Sequence, residues 1–255
     1  MSKNNRINWQ TGMEITPQIL TDADNFHIEQ QNLIRRLQVM PCYGLLPESN
    51  FSANFSIEGD RLIVKNLVIQ AVTPQGELIE IDEQGKEYAI QNIYQSYIVL
   101  PNFQTVENPL DNTFCMPIAK IKDNYLDYNY IPPCVSINSH QKLVDIYTEI
   151  CEIISRIIEQ IKEQERYKPI FLPLSLLALE LKNYSKFESP AELFLLVKKF
   201  AMLFDEALTE NLLNETYCHT DIYIIFSIAL NCLRELEAKT MEEPKIKRIP
   251  IAVKK

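Results

Sequence analysis

The sequence predicts an α+β chain, a β-rich N-terminal half followed by a bundle of helices. Three observations carry this. Between Tyr43 and about Lys122 the apolar spacing falls toward two, with turn residues at short intervals. Beyond Pro132-Pro133 the spacing changes to three and four. The double proline marks the join, because neither ring nitrogen can donate to a sheet ladder and each proline pushes its predecessor out of helical geometry.

Residues 1–16 are polar apart from Ile7, Trp9, Met13 and Ile15. Trp9, the only tryptophan, lies in an extended INWQTGM segment and reads as a local core anchor or as a partner contact. Thr16-Pro17-Gln18 is a helix start, with a hydroxyl at the cap and proline at the first position. Ile19, Phe26, Leu33 and Leu37 then share one face of a helix that runs to about Gln38, before Pro41.

The strand region begins with Phe51, Phe55 and Ile57, and Glu58-Gly59-Asp60 turns the chain. Leu62, Val64, Leu67 and Ile69 form a run with a phase slip near Asn66, the mark of a bulge. Thr73-Pro74-Gln75-Gly76 has the proline and glycine positions of a β-turn, and Leu78 to Ile81 pairs back across it. Gln84-Gly85 reads as another turn. Ile93 to Leu100 and Phe114 to Ile121 are further strands, with a loop from Asn102 to Asn112 between them. Short strands with regular turns predict a β-sandwich or barrel-like module.

The first helix of the second half is expected from about Ser139 to Tyr167, capped by Asn138 with Gln141 as reciprocal partner. Leu143, Tyr147, Ile150, Ile154, Ile157 and Ile161 are spaced four-three-four-three-four, the seam of a coiled coil. Ile146, Cys151, Ile153 and Ile158 widen the stripe. Two readings fit: a seam between subunits, or the core face of a helix in a monomeric bundle. Pro169 and Pro173 end this helix, and a Leu-rich second helix follows from about Leu174 to Lys182. Ser189-Pro190-Ala191-Glu192 combines a capping hydroxyl, a proline at the first position and a glutamate at the third. It opens a third helix through Leu193, Leu196, Val197, Phe200, Leu203 and Phe204. A fourth starts near Asp221, and the tail from Thr240 is charged. Four helices with short connections make a bundle.

The composition excludes more than it assigns. A net charge of -9 argues against nucleic acid and anionic membrane surfaces as main partners, since both need a basic footprint. Only 5 of 255 residues are glycine, few for phosphate loops or the tight turns of an active site. Cys42, Cys115, Cys134, Cys151, Cys218 and Cys232 form no CxxC pair and read as reduced, mostly buried thiols of a cytoplasmic protein. There is no nucleophile elbow, P-loop, dinucleotide fingerprint or HExxH. Cys218-His219-Thr220-Asp221 lacks a second ligand set at metal spacing and reads as a solvated helix cap. Tyr125, Tyr128 and Tyr130 read as a clamp at the join. No enzyme activity, cofactor or metal is expected.

Four stretches, taken in order, resemble the type VI secretion baseplate subunit TssK (ImpJ or VasE) family. Asn8-Trp9 with Gly12-Met13 and Pro17-Gln18 is similar to that family's opening. Tyr43-Gly44-Leu45 lies where the family has an aromatic-glycine turn into its first strand. Leu62 to Gly76 is similar to its strand pair, and Tyr130-Ile131-Pro132-Pro133 to its aromatic-Ile-Pro-Pro join before a long helix.

The resemblance implies a β-sandwich shoulder over residues 1–133, a helical neck over 134–240 and a charged tail or linker over 241–255. It implies a homotrimer held at the neck seam of Leu143, Tyr147, Ile150, Ile154, Ile157 and Ile161. The shoulder would meet other baseplate wedge subunits (TssF/TssG-like), with Trp9, Pro17 and Gln18 as the expected contact. Siphophage receptor-binding proteins share this architecture, so a phage-tail-like ligand-binding protein is the alternative. The family continues into a head domain that docks to the membrane complex. Here the sequence stops near Ile249-Pro250-Ile251, so that docking is not carried over, whether the sequence is truncated or a short variant.

Overall fold

The computed structural model describes residues 6–40, 42–59, 61–91, 97–109, 114–123, 125–204 and 206–241, with only the backbone of 206–208. Asp60, Ile93, residues 110–112 of the expected loop, and the tail from 242 to 255 lie outside these residues.

The chain opens with helix α1, Pro17–Val39. The Thr16 hydroxyl accepts from the Ile19 N–H at 3.3 Å and Pro17 takes the first turn, as its sequence predicts. Among the described residues eight strands follow: β1 Gly44–Leu45, β2 Ser52–Glu58, β3 Arg61–Val72, β4 Leu78–Gln91, β5 Tyr97–Leu100, β6 Gln104–Val106, β7 Met116–Lys122 and β8 Tyr125–Leu126. They form two antiparallel sheets. In one, β3 pairs with β1, β2 and β4; the other runs β6-β5-β7-β8. Leu62, Val64, Leu67 and Ile69 of β3 share one apolar core with Ile98, Leu100, Met116 and Ile118 of the second sheet. That packing is the predicted sandwich.

The β3–β4 hairpin holds two glycines in different roles, one at its turn and one inside a strand. Gly76, at φ +89°, closes the Thr73–Gly76 turn, donating its N–H to the Thr73 carbonyl at 2.9 Å. Gly85 is not in a turn: it lies inside β4. It sits at φ +83° opposite Asn66 at φ +53°, and its N–H donates to Asn66 Oδ1 at 2.8 Å. The register slips between Lys65 and Leu67, so the predicted bulge at Asn66 and the expected turn at Gly85 are two halves of one irregularity.

The helical half contains α2 Gln141–Ile161, α3 Lys168–Lys182, α4 Pro190–Ala201, α5 Glu206–Asn214 and α6 Ile222–Met241. The cap of α2 is His140, not Asn138: its Nδ1 accepts from the Lys142 N–H at 3.2 Å. Ser136 and Ser139 instead cap a preceding 3-10 turn. Pro169 starts α3 and Pro173 is tolerated within it, so neither simply ends a helix. The Ser189 cap and the α4 start agree with the sequence. The short α5 adds a helix, among the described residues, to the four expected from the sequence.

The two halves are joined along more than the double proline. Leu45 donates to the Pro133 carbonyl at 2.8 Å and Val135 to the Leu45 carbonyl at 3.0 Å, a parallel bridge from β1 to the join. Gly44 permits it: at φ +117°, an added Cβ would fall 1.9 Å from the Pro133 carbonyl oxygen. The apolar core runs without a break from Leu45 to Leu236.

Candidate interaction surfaces

Two polar latches fix the sheets to the bundle. Asp221, just before α6, holds Lys120 of β7 at 2.5 Å and accepts from the Tyr97 hydroxyl at 3.1 Å. Lys120 also lies over the Tyr97 ring, 4.9 Å from its centre. Burial pulls the Lys120 ammonium toward neutrality, but its bonds to Asp221 and Tyr97 more than offset that and raise its pKa. Burial raises Tyr97.

The second latch is His219. Its Nε2 lies 2.6 Å from the Tyr43 carbonyl oxygen and its Nδ1 2.9 Å from the Tyr217 hydroxyl. Burial lowers its pKa to about 4, so the ring is neutral and joins the chain just before β1 to the segment before α6. The expected solvated cap at Cys218-His219-Thr220-Asp221 is thus corrected. Its histidine is a partly buried strut and its aspartate a paired one. Among the described residues no group of three His, Cys, Asp or Glu side chains is placed to hold a metal ion. The six cysteines are free thiols. No described helix is long and apolar enough to cross a membrane.

The residues of the expected neck seam are packed from within the chain. Leu143, Tyr147, Ile150, Ile154, Ile157 and Ile161 are all buried within their own subunit. They belong to one cluster with Leu174 and Leu181 of α3 and with Phe226, Leu230, Leu233 and Leu236 of α6. The Tyr147 hydroxyl reaches the Leu181 carbonyl at 3.0 Å. Arg156–Glu237 at 2.6 Å and Arg234–Glu149 at 2.5 Å brace α2 against α6. The heptad spacing is real, but α3 and α6 of the same chain fill it.

The apolar surface left over lies elsewhere. Helix α3 is apolar on nearly every side yet fully buries only Leu174 and Leu181. Leu172, Leu176 and Leu179, at i, i+4 and i+7, form an outer stripe 68%, 58% and 55% exposed. This stripe is an exposed apolar surface on a helix that is otherwise mostly apolar, the kind of surface that interfaces use. The sequence shows a Leu-rich helix here but not which of its leucines face outward.

At the other end of the chain, Trp9 is 52% exposed, so it is not the local core anchor that the sequence suggested. Pro17 and Gln18 are exposed too, and Gln18 donates to Asp22 Oδ1 at 2.8 Å. Of the three tyrosines expected to clamp the join, only Tyr130 is buried, edge-on to Tyr97. Tyr125 and Tyr128 face outward beside Phe55 and Ile57 of β2.

No protein-family model matches the sequence, and no curated protein matches it. Solved structures do. A crystal structure of TssK aligns with a TM-score of 0.64 and 11% identity, over 91% of this chain and 69% of that one. A chain of the type VI secretion TssK-TssF-TssG baseplate subcomplex, determined by cryo-electron microscopy, aligns at 0.63 and 14%, over 93% and 99%. TssK from EAEC in complex with nanobody nb18 aligns at 0.59 and 13%, over 88% and 69%. Over about nine-tenths of its length the chain has a TssK-like fold.

Proposed function

We propose that the chain is a structural subunit of a type VI secretion baseplate, acting in the cytoplasm without catalysis. The observation that carries this is the fold, shared over about nine-tenths of the chain with TssK alone and with a TssK-TssF-TssG baseplate subcomplex. The work of such a subunit is geometric. Its halves are pinned by Asp221–Lys120–Tyr97 and by His219, so a partner bound to the sheets is held at a fixed angle to the bundle.

In this reading the neck gathers three copies. The surface that serves it is the outer stripe of α3, Leu172, Leu176 and Leu179, because the α2 stripe is consumed within the subunit. The shoulder meets TssF/TssG-like wedge subunits near Trp9, Pro17 and Gln18; the half-exposed indole supplies the aromatic anchor that protein interfaces favour. Three shoulders on one neck raise the effective concentration of each contact.

The test is co-expression of the chain with the TssF- and TssG-type proteins of the same genome. Co-purification as one complex, weakened by Trp9→Ala with the fold intact, supports the reading. Failure of the wild-type chain to retain either protein contradicts it.

A further inference from the structure

Helices α2 and α6 leave the sheets side by side. Asp221, just before α6, is held to Lys120 of β7 at 2.5 Å. His140, the cap of α2, has its ring centre 6.0 Å from that of Phe51, just before β2. Their far ends are tied together as well. The Thr240 hydroxyl donates to Gln160 Oε1 at 2.5 Å, and Gln164 donates to the Thr240 carbonyl at 2.8 Å. Arg166 reaches the Lys239 carbonyl at 3.2 Å. Helix α6 has 20 residues, so its last turn stands about 30 Å beyond its first. The chain after Met241 therefore leaves from the end of the bundle opposite the sheets.

The stretch that leaves there is one-signed. Lys245-Ile246-Lys247-Arg248-Ile249-Pro250-Ile251-Ala252-Val253-Lys254-Lys255 holds five basic residues, four β-branched apolar ones and no acid, in a chain of net charge -9. It has none of the Gly, Ser or Gln that make a solvated linker. Bases interleaved with Ile and Val fit one kind of surface, negatively charged lipid headgroups above an apolar interior. Nucleic acid fits less well, because the stretch has one arginine and no aromatic ring to stack on a base. The average charge that argued against membranes hides this local segment. The acidic strand β4, with Glu80, Asp82, Glu83 and Glu87, belongs to the sheets, beyond the length of α6 and several times the roughly 8 Å over which salt screens a charge. Closer by, the end of the bundle is near balance. Lys162, Arg166, Lys168 and Lys239 are exposed there beside Glu159, Glu163 and Glu165, and Glu237 is taken by Arg156. Glu242 and Glu243 separate that face from the basic stretch.

We propose that residues 245–255 hold the far end of the bundle against an anionic membrane surface, the bases meeting phosphate headgroups while Ile246, Ile249, Ile251 and Val253 enter the headgroup boundary. The contact is peripheral. Because the Asp221 and His219 latches fix the two halves of the chain, it also sets the direction of the sheets, away from the bilayer.

The test is co-sedimentation of the full chain with lipid vesicles, one set of phosphatidylcholine alone and one with about a third phosphatidylglycerol. The expected result is pelleting with the anionic set only, weakening as salt is raised. Each base near an anionic surface contributes about five-fold, so Lys245→Gln, Lys247→Gln and Arg248→Gln together should lower the affinity about 100-fold. Ile249→Ser with Ile251→Ser should lower it too, with the salt dependence unchanged. Thermal melts of both variants should match the wild type. Pelleting with neither set would overturn the proposal, and so would a triple variant that binds as well as the wild type. A shifted melt would place the stretch in the subunit's own packing instead. Release by millimolar inorganic phosphate would show a site for the free anion, and equal affinity for a DNA duplex a general polyanion binder; either result would overturn the membrane contact.

Discussion

Replacing Ile154 separates the two roles that its position allows. Ile154 is 1% exposed and sits in the middle of α2, packed in the cluster shared with α3 and α6. Ile154→Ala removes three carbons from a site whose neighbours are tied by the Tyr147, Arg156 and Arg234 contacts, so the cavity closes only in part. That class of change costs about 2–5 kcal/mol. Ile154→Asp adds an unpaired carboxylate to the same site, for a further several kcal/mol. Together these approach the whole stability of a typical domain, about 5–15 kcal/mol. Urea unfolding followed by circular dichroism reads both. Ile154→Ala should fold, with a lower midpoint and an unchanged slope; Ile154→Asp should be largely unfolded or aggregated. An Ile154→Asp protein that stays folded as a monomer while the assembly falls apart would refute the reasoning, because it would place Ile154 between subunits.

Other predictions follow from the join and the latches. Gly44→Ala forces a Cβ into the Pro133 carbonyl at φ +117° and should cost at least about 3 kcal/mol, whereas Gly12→Ala, at φ +83° in open space, should cost about 1 kcal/mol; thermal melts of the pair check this. Asp221→Ala strands a partly buried Lys120 and should lose about 2–4 kcal/mol, much of it recovered by Lys120→Met in the double variant. His140 and His219, both lowered to about 4 by burial, bind fewer protons folded than unfolded between about pH 6.5 and 4. Their stability contribution is therefore full above that window and is lost as the pH falls through it. Denaturant midpoints should drop from pH 7 to pH 4, and less steeply in His219→Phe.

The features legible in the sequence were those with local causes. Thr16-Pro17 and Ser189-Pro190 start helices because a cap and a fixed φ act within one turn. Asn66 betrayed the bulge by breaking the alternation of β3. Pro132-Pro133 marked the join for want of donors. What failed was whatever depended on a distant neighbour. Gly85 has the chemistry of a turn, and only its pairing with Asn66 across the ladder makes it a bulge. The α2 spacing shows that a face is buried, but spacing does not say which chain covers it. Pro173 reads as a breaker until the helix around it is packed. His219 reads as a surface cap because Tyr43, its partner, lies 176 residues away. The interaction surfaces were hidden for a related reason. Leu172, Leu176 and Leu179 have the composition of a core, and only the folded subunit shows them outside it.

The most direct test of the proposed baseplate subunit is the mass of the purified chain, by light scattering coupled to size exclusion at micromolar concentration. The account predicts three times 29.7 kDa, falling to a folded monomer in Leu176→Glu. A wild-type chain that stays a monomer, or a Leu176→Glu variant with undiminished mass, would contradict it.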